Sequence, residues 1–351
     1  MSVDLSGRDL LCTQDWSVEE LEAVLELAVE MKEKRYSDEH ARILKHKTFM
    51  MMFYNSSLRT RQSFEAAATE LGGHSQFLET KTLRLQTATQ RGEMLIDTAN
   101  VMSRYACGIG VRILEDSVES YGDGDTFLRE FAGLASVPIV SMAHDKFHPC
   151  QGLADVMGMR ARKGEMKGRT LLQVWGYSPM VRSWSSVQES ILLNSRLGMN
   201  VRMAYPEGFD LDPEIVETAR ANCAAAGTSF EVTHDQEEAY EGVDVVYSRQ
   251  WMHPGRYEHG REFDMEESAK HRDWRATSER MARTNDALFI HPMPIDREHE
   301  ADHEVCDAPT SIVYDVAENR LHVQKAIMAL TMAGQARGRG PRESGPPRGT
   351  R

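Results

Sequence analysis

The stretch Asn55-Ser56-Ser57-Leu58-Arg59-Thr60-Arg61 follows an apolar run over residues 48–54 and opens a helical pattern over 62–71. A strand that ends in small hydroxyl residues at a helix start gathers free backbone N–H groups, the positive end of the helix dipole and hydroxyl donors at one point. Arg59 and Arg61 add charge, so the stretch reads as a phosphate cradle. It lacks the glycine spacing of the Walker and dinucleotide-binding loops. An isolated S-x-R-T-R is more often a serine N-cap with two surface arginines, so the rest of the chain has to decide.

Working outward, Ser17 with Glu20 forms a capping-box pattern, and Leu21, Val24, Leu25, Ala28 and Met31 recur at helical spacing. After the cradle come a strand near 75–78, a polar loop over 79–91, a helix over 92–105, a strand at 108–113, a helix near 126–134 and a strand at 137–142. His148-Pro149-Cys150-Gln151 opens the next helix, with Pro149 where a missing N–H costs nothing. A second alternation follows, with strands at 170–175, 200–204, 229–232, 243–247 and 287–290. Its helices fall at 185–197, 213–225, 236–240 and 265–283. Strands alternating with helices predict an α/β chain of two doubly wound parallel-sheet domains. The expected division is 1–147, 148–317, a closing helix over 318–335 that returns to the first domain, and a disordered Gly/Pro/Arg-rich tail at 336–351.

The 351 residues are enough for two cores. With 54 acidic against 41 basic residues, the net charge of -13 argues against a nucleic-acid or anionic-membrane surface, so the arginines that remain should be locally placed. Five cysteines without CxxC pairing favour a reducing compartment and suggest no zinc site. The N-terminus has no signal-peptide core and no run of about 18 apolar residues occurs, so a cytoplasmic protein is expected.

Four separated pieces fall at expected strand ends or helix starts, where open α/β sheets bind ligands. They are Ser57-Leu58-Arg59-Thr60-Arg61, Gly108-Ile109-Gly110-Val111-Arg112, His148-Pro149-Cys150-Gln151 and His291-Pro292-Met293-Pro294. In this order they resemble the aspartate and ornithine carbamoyltransferase family over nearly the whole chain, with Leu58 standing where the family's S-T-R-T-R has threonine. The closing Ala317-Glu318-Asn319-Arg320-Leu321-His322-Val323-Gln324-Lys325 looks like the ornithine and N-acetylornithine branch.

The resemblance implies carbamoyl phosphate on the backbone of Ser57, Leu58, Arg59 and Thr60 and on the Arg59, Arg112 and Arg320 guanidiniums. Planar guanidiniums suit phosphate because they bind it bidentately. Loss of the hydroxyl at Leu58 is expected to weaken that binding without abolishing it. Thr60, Arg112 and His148 would stabilise the charge that grows on the carbonyl oxygen, and Gln151 with the Pro292 and Met293 carbonyls would hold the carbamoyl NH2. Neither cofactor nor metal is called for, since positioning and electrostatics suffice.

On the acceptor side the resemblance divides. Arg182 and Arg249 match arginines that clamp carboxylates in the aspartate branch, and Arg91 matches a basic residue lent by a neighbouring subunit of a homotrimer. Trp251 and Leu11-Cys12-Thr13-Gln14-Asp15-Trp16 look like the N-acetylornithine branch, and the Ser-Met-Gly motif of the ornithine branch is missing. Glu300 stands where the N-acetylornithine branch looks to carry a modified lysine, although a solvated loop charge is the plainer reading. The loop at 177–182 matches one through which that branch's second domain is knotted. The leading expectation is transfer to an ornithine-like amino acid. The alternatives are an acidic acceptor such as aspartate, or a catalytically silent ligand-binding relative. No G-x-G-x-x-G follows an expected strand, which disfavours a nicotinamide enzyme.

Overall fold

The computed structural model describes residues 3–80 and 92–334, and each half of the chain builds one parallel sheet. Strand β1 (Thr48–Phe53) is buried from Phe49 onward, as a central strand covered on both faces must be. With β2 (His74–Glu79), β3 (Gly108–Ile113) and β4 (Ile139–His144) it forms a sheet of order β2-β1-β3-β4. The second sheet, from β5 (Thr170–Trp175), β6 (Asn200–Ala204), β7 (Phe230–Thr233), β8 (Val245–Arg249) and β9 (Leu288–Ile290), runs β7-β6-β5-β8-β9. In each sheet the strand order reverses direction once, between β1 and β3 and between β5 and β8. Such switch points leave a crevice at the carboxyl ends of the strands.

Helix α1 (Val18–Glu33) starts in the expected capping box, with Glu20 N 3.2 Å from Ser17 Oγ and Ser17 N 2.7 Å from Glu20 Oε2. The cradle opens α2 (Leu58–Glu70), followed by α3 (Leu95–Tyr105), α4 (Asp123–Leu134) and α5 (Pro149–Lys163). Helices α6 (Ser185–Arg196), α7 (Pro213–Ala226) and α8 (Gln236–Ala239) cover the second sheet. Helix α5 is buried continuously from Pro149 to Met159. One apolar cluster runs from α1 and β1 through α5 to Leu171, Val245 and Ile290 of the second sheet, so the two halves share a core.

Three sequence expectations need correction. The single helix expected over 265–283 is broken into α9 (Arg256–Ser268), a short 3-10 turn and α10 (Ser278–Met281). Between them the chain turns inward to bury Trp274, and Ala276 N donates to Glu300 O at 3.0 Å. The second is α4, which begins at Asp123 and not near 126 because a distant carboxylate caps it. Asp145 accepts from Gly122 N at 2.7 Å, Gly124 N at 3.2 Å and Asp125 N at 3.0 Å. Finally, after the short α11 (His303–Cys306), the closing helix α12 starts at Val313 and runs to Met332. It packs on α1, α2 and α5. A Cβ on Gly158 would lie 2.9 Å from Val316, so glycine allows α5 and α12 to approach closely there. Arg91 and the tail at 336–351 lie outside the described residues.

Candidate active site

The two switch points face one another across a cleft of about 330 Å³. On the first side β1 ends at the cradle. Ser57 is the N-cap of α2, its Oγ accepting from Thr60 N at 3.4 Å, and no acidic residue occupies the first turn to compete for the free N–H groups. Asn55 Oδ1 accepts from Leu114 N at 2.7 Å and Tyr54 N donates to Arg112 O at 2.9 Å, which ties the end of β1 to the end of β3. Arg112 sits beside a register slip in which Val111 pairs with Ser141 and Arg112 with Ala143, leaving Met142 as the extra residue. Bulges of this kind re-aim a side chain at the end of a strand.

From α12, the Arg320 guanidinium donates to Thr60 Oγ1 at 2.8 Å, leaving the Thr60 hydroxyl hydrogen free to donate elsewhere. Burial, then Arg320, pushes Arg112 down to about 10, and burial does the same to Arg320, so both remain charged at neutral pH. Burial, then Arg320 and Arg112, holds His148 well below the usual imidazole range, so it is neutral in the cleft.

On the second side the ends of β5 and β8 contribute Arg182 and Arg249. Arg249 Nη1 lies 3.3 Å from Pro294 O and 3.6 Å from Glu300 Oε1. Glu300 is fully buried, so it is not the solvated loop charge that its neighbours suggested. Its carboxylate accepts from Gln250 N at 2.9 Å and Asp296 N at 2.7 Å and lies 3.3 Å from His291 Nε2. Burial alone would raise its pKa, but His291, Arg249 and the Gln250 N–H outweigh burial and hold it at about 2. Gln250 Oε1 in turn accepts from Arg182 N at 2.7 Å, so one buried carboxylate organises both arginines.

The cleft brings together Ser57, Arg59, Thr60, Arg112, His148, Arg182, Arg249, Pro292, Met293 and Arg320. Other expected residues lie elsewhere. Leu58 points outward at 68% exposure, and Trp251 is a core residue whose Nε1 donates to Phe209 O at 2.8 Å. Glu300 supports the cleft from behind. Gln151 is buried beside the lining, its Nε2 donating to Asp155 Oδ1 at 2.8 Å, which leaves Oε1 unpartnered. Sequence reasoning missed Glu115, Asp116 and Arg261, all of which line the cleft. They come from a short turn after β3 and from α9, and carry no motif of their own.

Among the described residues, the Nε groups of Arg112, Arg182, Arg249 and Arg320 and the His148 Nδ1 are buried without a hydrogen-bond partner. Buried polar groups are almost always satisfied, so four guanidinium donors and an imidazole nitrogen left over in one cleft suit anionic or carbonyl oxygens. An α/β chain with an open helix start on one switch point and paired arginines on the other has the parts that a two-substrate transferase needs.

The particular family follows from comparison with known proteins. Residues 8–161 match the aspartate/ornithine carbamoyltransferase carbamoyl-P binding domain, and residues 179–331 match the Asp/Orn binding domain of the same family. The chain is 37% identical over 337 residues to an ornithine carbamoyltransferase of Thermococcus kodakarensis, covering 95% of this chain and 99% of that one. It is 34% identical over 336 residues to an N-acetylornithine carbamoyltransferase of Xylella fastidiosa, covering 92% and 98%. The crystal structure of an acetylornithine transcarbamylase complexed with acetylcitrulline superposes with a TM-score of 0.87 at 32% identity, covering 93% of this chain and 100% of that one. The chain belongs to the aspartate/ornithine carbamoyltransferase family, and it is a carbamoyltransferase.

Proposed function

We propose that this cleft moves the carbamoyl group of carbamoyl phosphate to the amino group of an ornithine-like amino acid, ornithine or an N-acylornithine, and releases phosphate. The observation that supports it most is the cluster of unpartnered guanidinium donors beside a neutral His148 and the open α2 N-terminus. Phosphate takes the N–H groups of the α2 start with Arg59, Arg112 and Arg320. The uncharged amine attacks the carbonyl carbon and the π pair moves to oxygen. Thr60 O–H, Arg112 and a His148 N–H meet the oxyanion, each positioned donor contributing on the order of 10²–10³ in rate. The pair then returns, the C–O bond to phosphate breaks, and phosphate leaves with that bond's electrons and accepts the proton lost by nitrogen. Gln151 Oε1 and the Pro292 and Met293 carbonyls accept from the carbamoyl NH2.

Purified protein given carbamoyl phosphate with ornithine and with N-acetylornithine should release phosphate and form a ureido product. No release above spontaneous hydrolysis with any amine would overturn the reading. A second reading keeps the reaction and takes aspartate or another acid as acceptor, motivated by the Arg182 and Arg249 pair. Turnover with acids unaffected by Arg249→Glu would rule it out. The proposed assembly is a cytoplasmic homotrimer in which the segment 79–91 lends Arg91 to a neighbouring site, with a second domain threaded at the 177–182 loop. A fully active monomer in sedimentation would contradict the shared site.

A further inference from the structure

Carbamoyl transfer needs an uncharged amine, but an alkyl amine in neutral water is an ammonium ion with a pKa near ~10. That proton must leave before nitrogen can attack, whereas phosphate takes up the later one, lost after the C–N bond has formed. The arginines that line the cleft cannot accept a proton. Burial, then Arg320 and Arg112, leaves His148 a weak base, and its N–H is needed at the oxyanion. Two carboxylates line the cleft, Glu115 and Asp116. Asp116 is already engaged, 2.6 Å from Arg256 of α9. Glu115 is the one left over.

The 3-10 turn that carries it, Glu115–Ser117, is tied down on both sides of Glu115. Leu114 N donates to Asn55 Oδ1 at 2.7 Å, Asp116 pairs with Arg256, and Ser117 Oγ donates to Tyr54 O at 3.2 Å. Glu115 itself is only 9% exposed, and its Oε2 is buried without a hydrogen-bond partner. A buried carboxylate oxygen is rarely left so, and this one suits a ligand that brings a hydrogen to it. Its charge acts both on Arg112 of the first side and on Arg182 of the second, so it stands where the two sides meet. An acceptor nitrogen reaching from the second side toward a carbamoyl group on the first crosses that same gap. Burial pushes the Glu115 carboxyl upward and Asp116 adds to the push, while its own N–H, Arg256 and Arg112 draw it back. A glutamate displaced upward, toward the working pH, is the better proton acceptor. Tyr257 of α9 also feels its charge, and burial keeps that phenol protonated.

We propose that Glu115 is a catalytic residue of the transfer reaction, the general base that takes the proton from the acceptor ammonium and so delivers the uncharged amine. This rests on the carbamoyl-transfer reading above and adds a step to it. One N–H bond of the ammonium breaks, its electrons stay on nitrogen as the attacking pair, and the proton forms an O–H bond with Glu115 Oε2. The proton lost after C–N bond formation goes to phosphate, as before. Once the products have left, Glu115 returns its proton to water, and the enzyme ends as it began.

The test compares acceptors that do and do not need a base. Full-length protein is given carbamoyl phosphate with ornithine or N-acetylornithine, and with their aminooxy counterparts, in which oxygen replaces the carbon bearing the side-chain amine. An aminooxy nitrogen is already uncharged at neutral pH. Glu115→Gln should lower kcat/KM for the amine by about 10²-fold or more at pH 7. The deficit should shrink by about tenfold per pH unit as solvent takes over the deprotonation, up to the amine's own range. With the aminooxy acceptor the same variant should stay within about threefold of the wild type. Glu115→Asp, which keeps the carboxylate, should restore part of the loss with the amine, and it supplies the same comparison if the glutamine variant does not fold. Unchanged turnover of the amine, or a loss equal for both acceptors and constant with pH, would overturn the role of Glu115 while leaving the transfer reaction in place. No phosphate release by the wild type with either kind of acceptor would remove the transfer reading and this step together.

Discussion

The two sides of the cleft are built on the same architectural device and achieve their chemistry differently. The side we assign to the donor combines the backbone N–H groups of a helix start capped by Ser57 with side chains such as Arg112, re-aimed by a slip in strand register. The side we assign to the acceptor uses Arg249 at the end of β8 and Arg182 on the connection after β5, braced by Glu300 and Gln250 behind them. Backbone donors are present in any sequence that forms the helix, whereas a carboxylate clamp must be assembled from residues that come from separate loops. The proposed donor side therefore rests partly on geometry that any such helix start supplies, and the proposed acceptor side on side chains from separate segments.

That contrast can be tested from its strongest point downward. Arg112→Met removes a buried, unpartnered guanidinium from the reacting centre and should lower kcat/KM for carbamoyl phosphate by about 10³-fold in steady-state phosphate release. Arg249→Met should act on the acceptor instead, raising its KM by about 10²-fold. An equal loss of carbamoyl phosphate affinity would show that the two sides are not separable. Glu300→Gln weakens the brace behind Arg249 and should raise acceptor KM by about tenfold.

A further prediction concerns pH. Burial pushes the Asp155 carboxyl from 3.8 up to about 8. Its folded pKa is raised, so its contribution is full below about pH 4 and is lost as pH rises toward 8. Urea midpoints of Asp155→Asn should therefore gain on the wild type across that window, and a constant difference would contradict it. The smallest effect is expected at Leu58→Thr, which should change carbamoyl phosphate affinity by less than about twofold because residue 58 points outward.

How much of this could be read from the chain follows the same division. The cradle, Arg112 at the end of β3 and His148 at the start of α5 were legible because each is local to one strand end or helix start. The alternation of elements likewise defined two parallel sheets. The Asp145 cap on α4, the slip at Arg112, the burial of Glu300 and the approach of Arg261 over the cleft were not. Each depends on segments far apart in sequence coming together, as with Glu300 and Gln250, 50 residues apart. Leu58 shows the converse. The motif position drew attention to a missing hydroxyl, and the structure adds that the side chain there is turned into solvent.

The hydrogen bond from Arg320 to Thr60 spans 260 residues. In the order of synthesis, the cradle leaves the ribosome early and its last guanidinium late, on α12. A nascent chain released before α12 forms would have the first sheet and an open cradle without Arg320 to complete it. Affinity for the phosphate is thus tied to completion of the polypeptide, and a truncation ending before Val313 should forfeit donor binding even where β1 to β4 assemble.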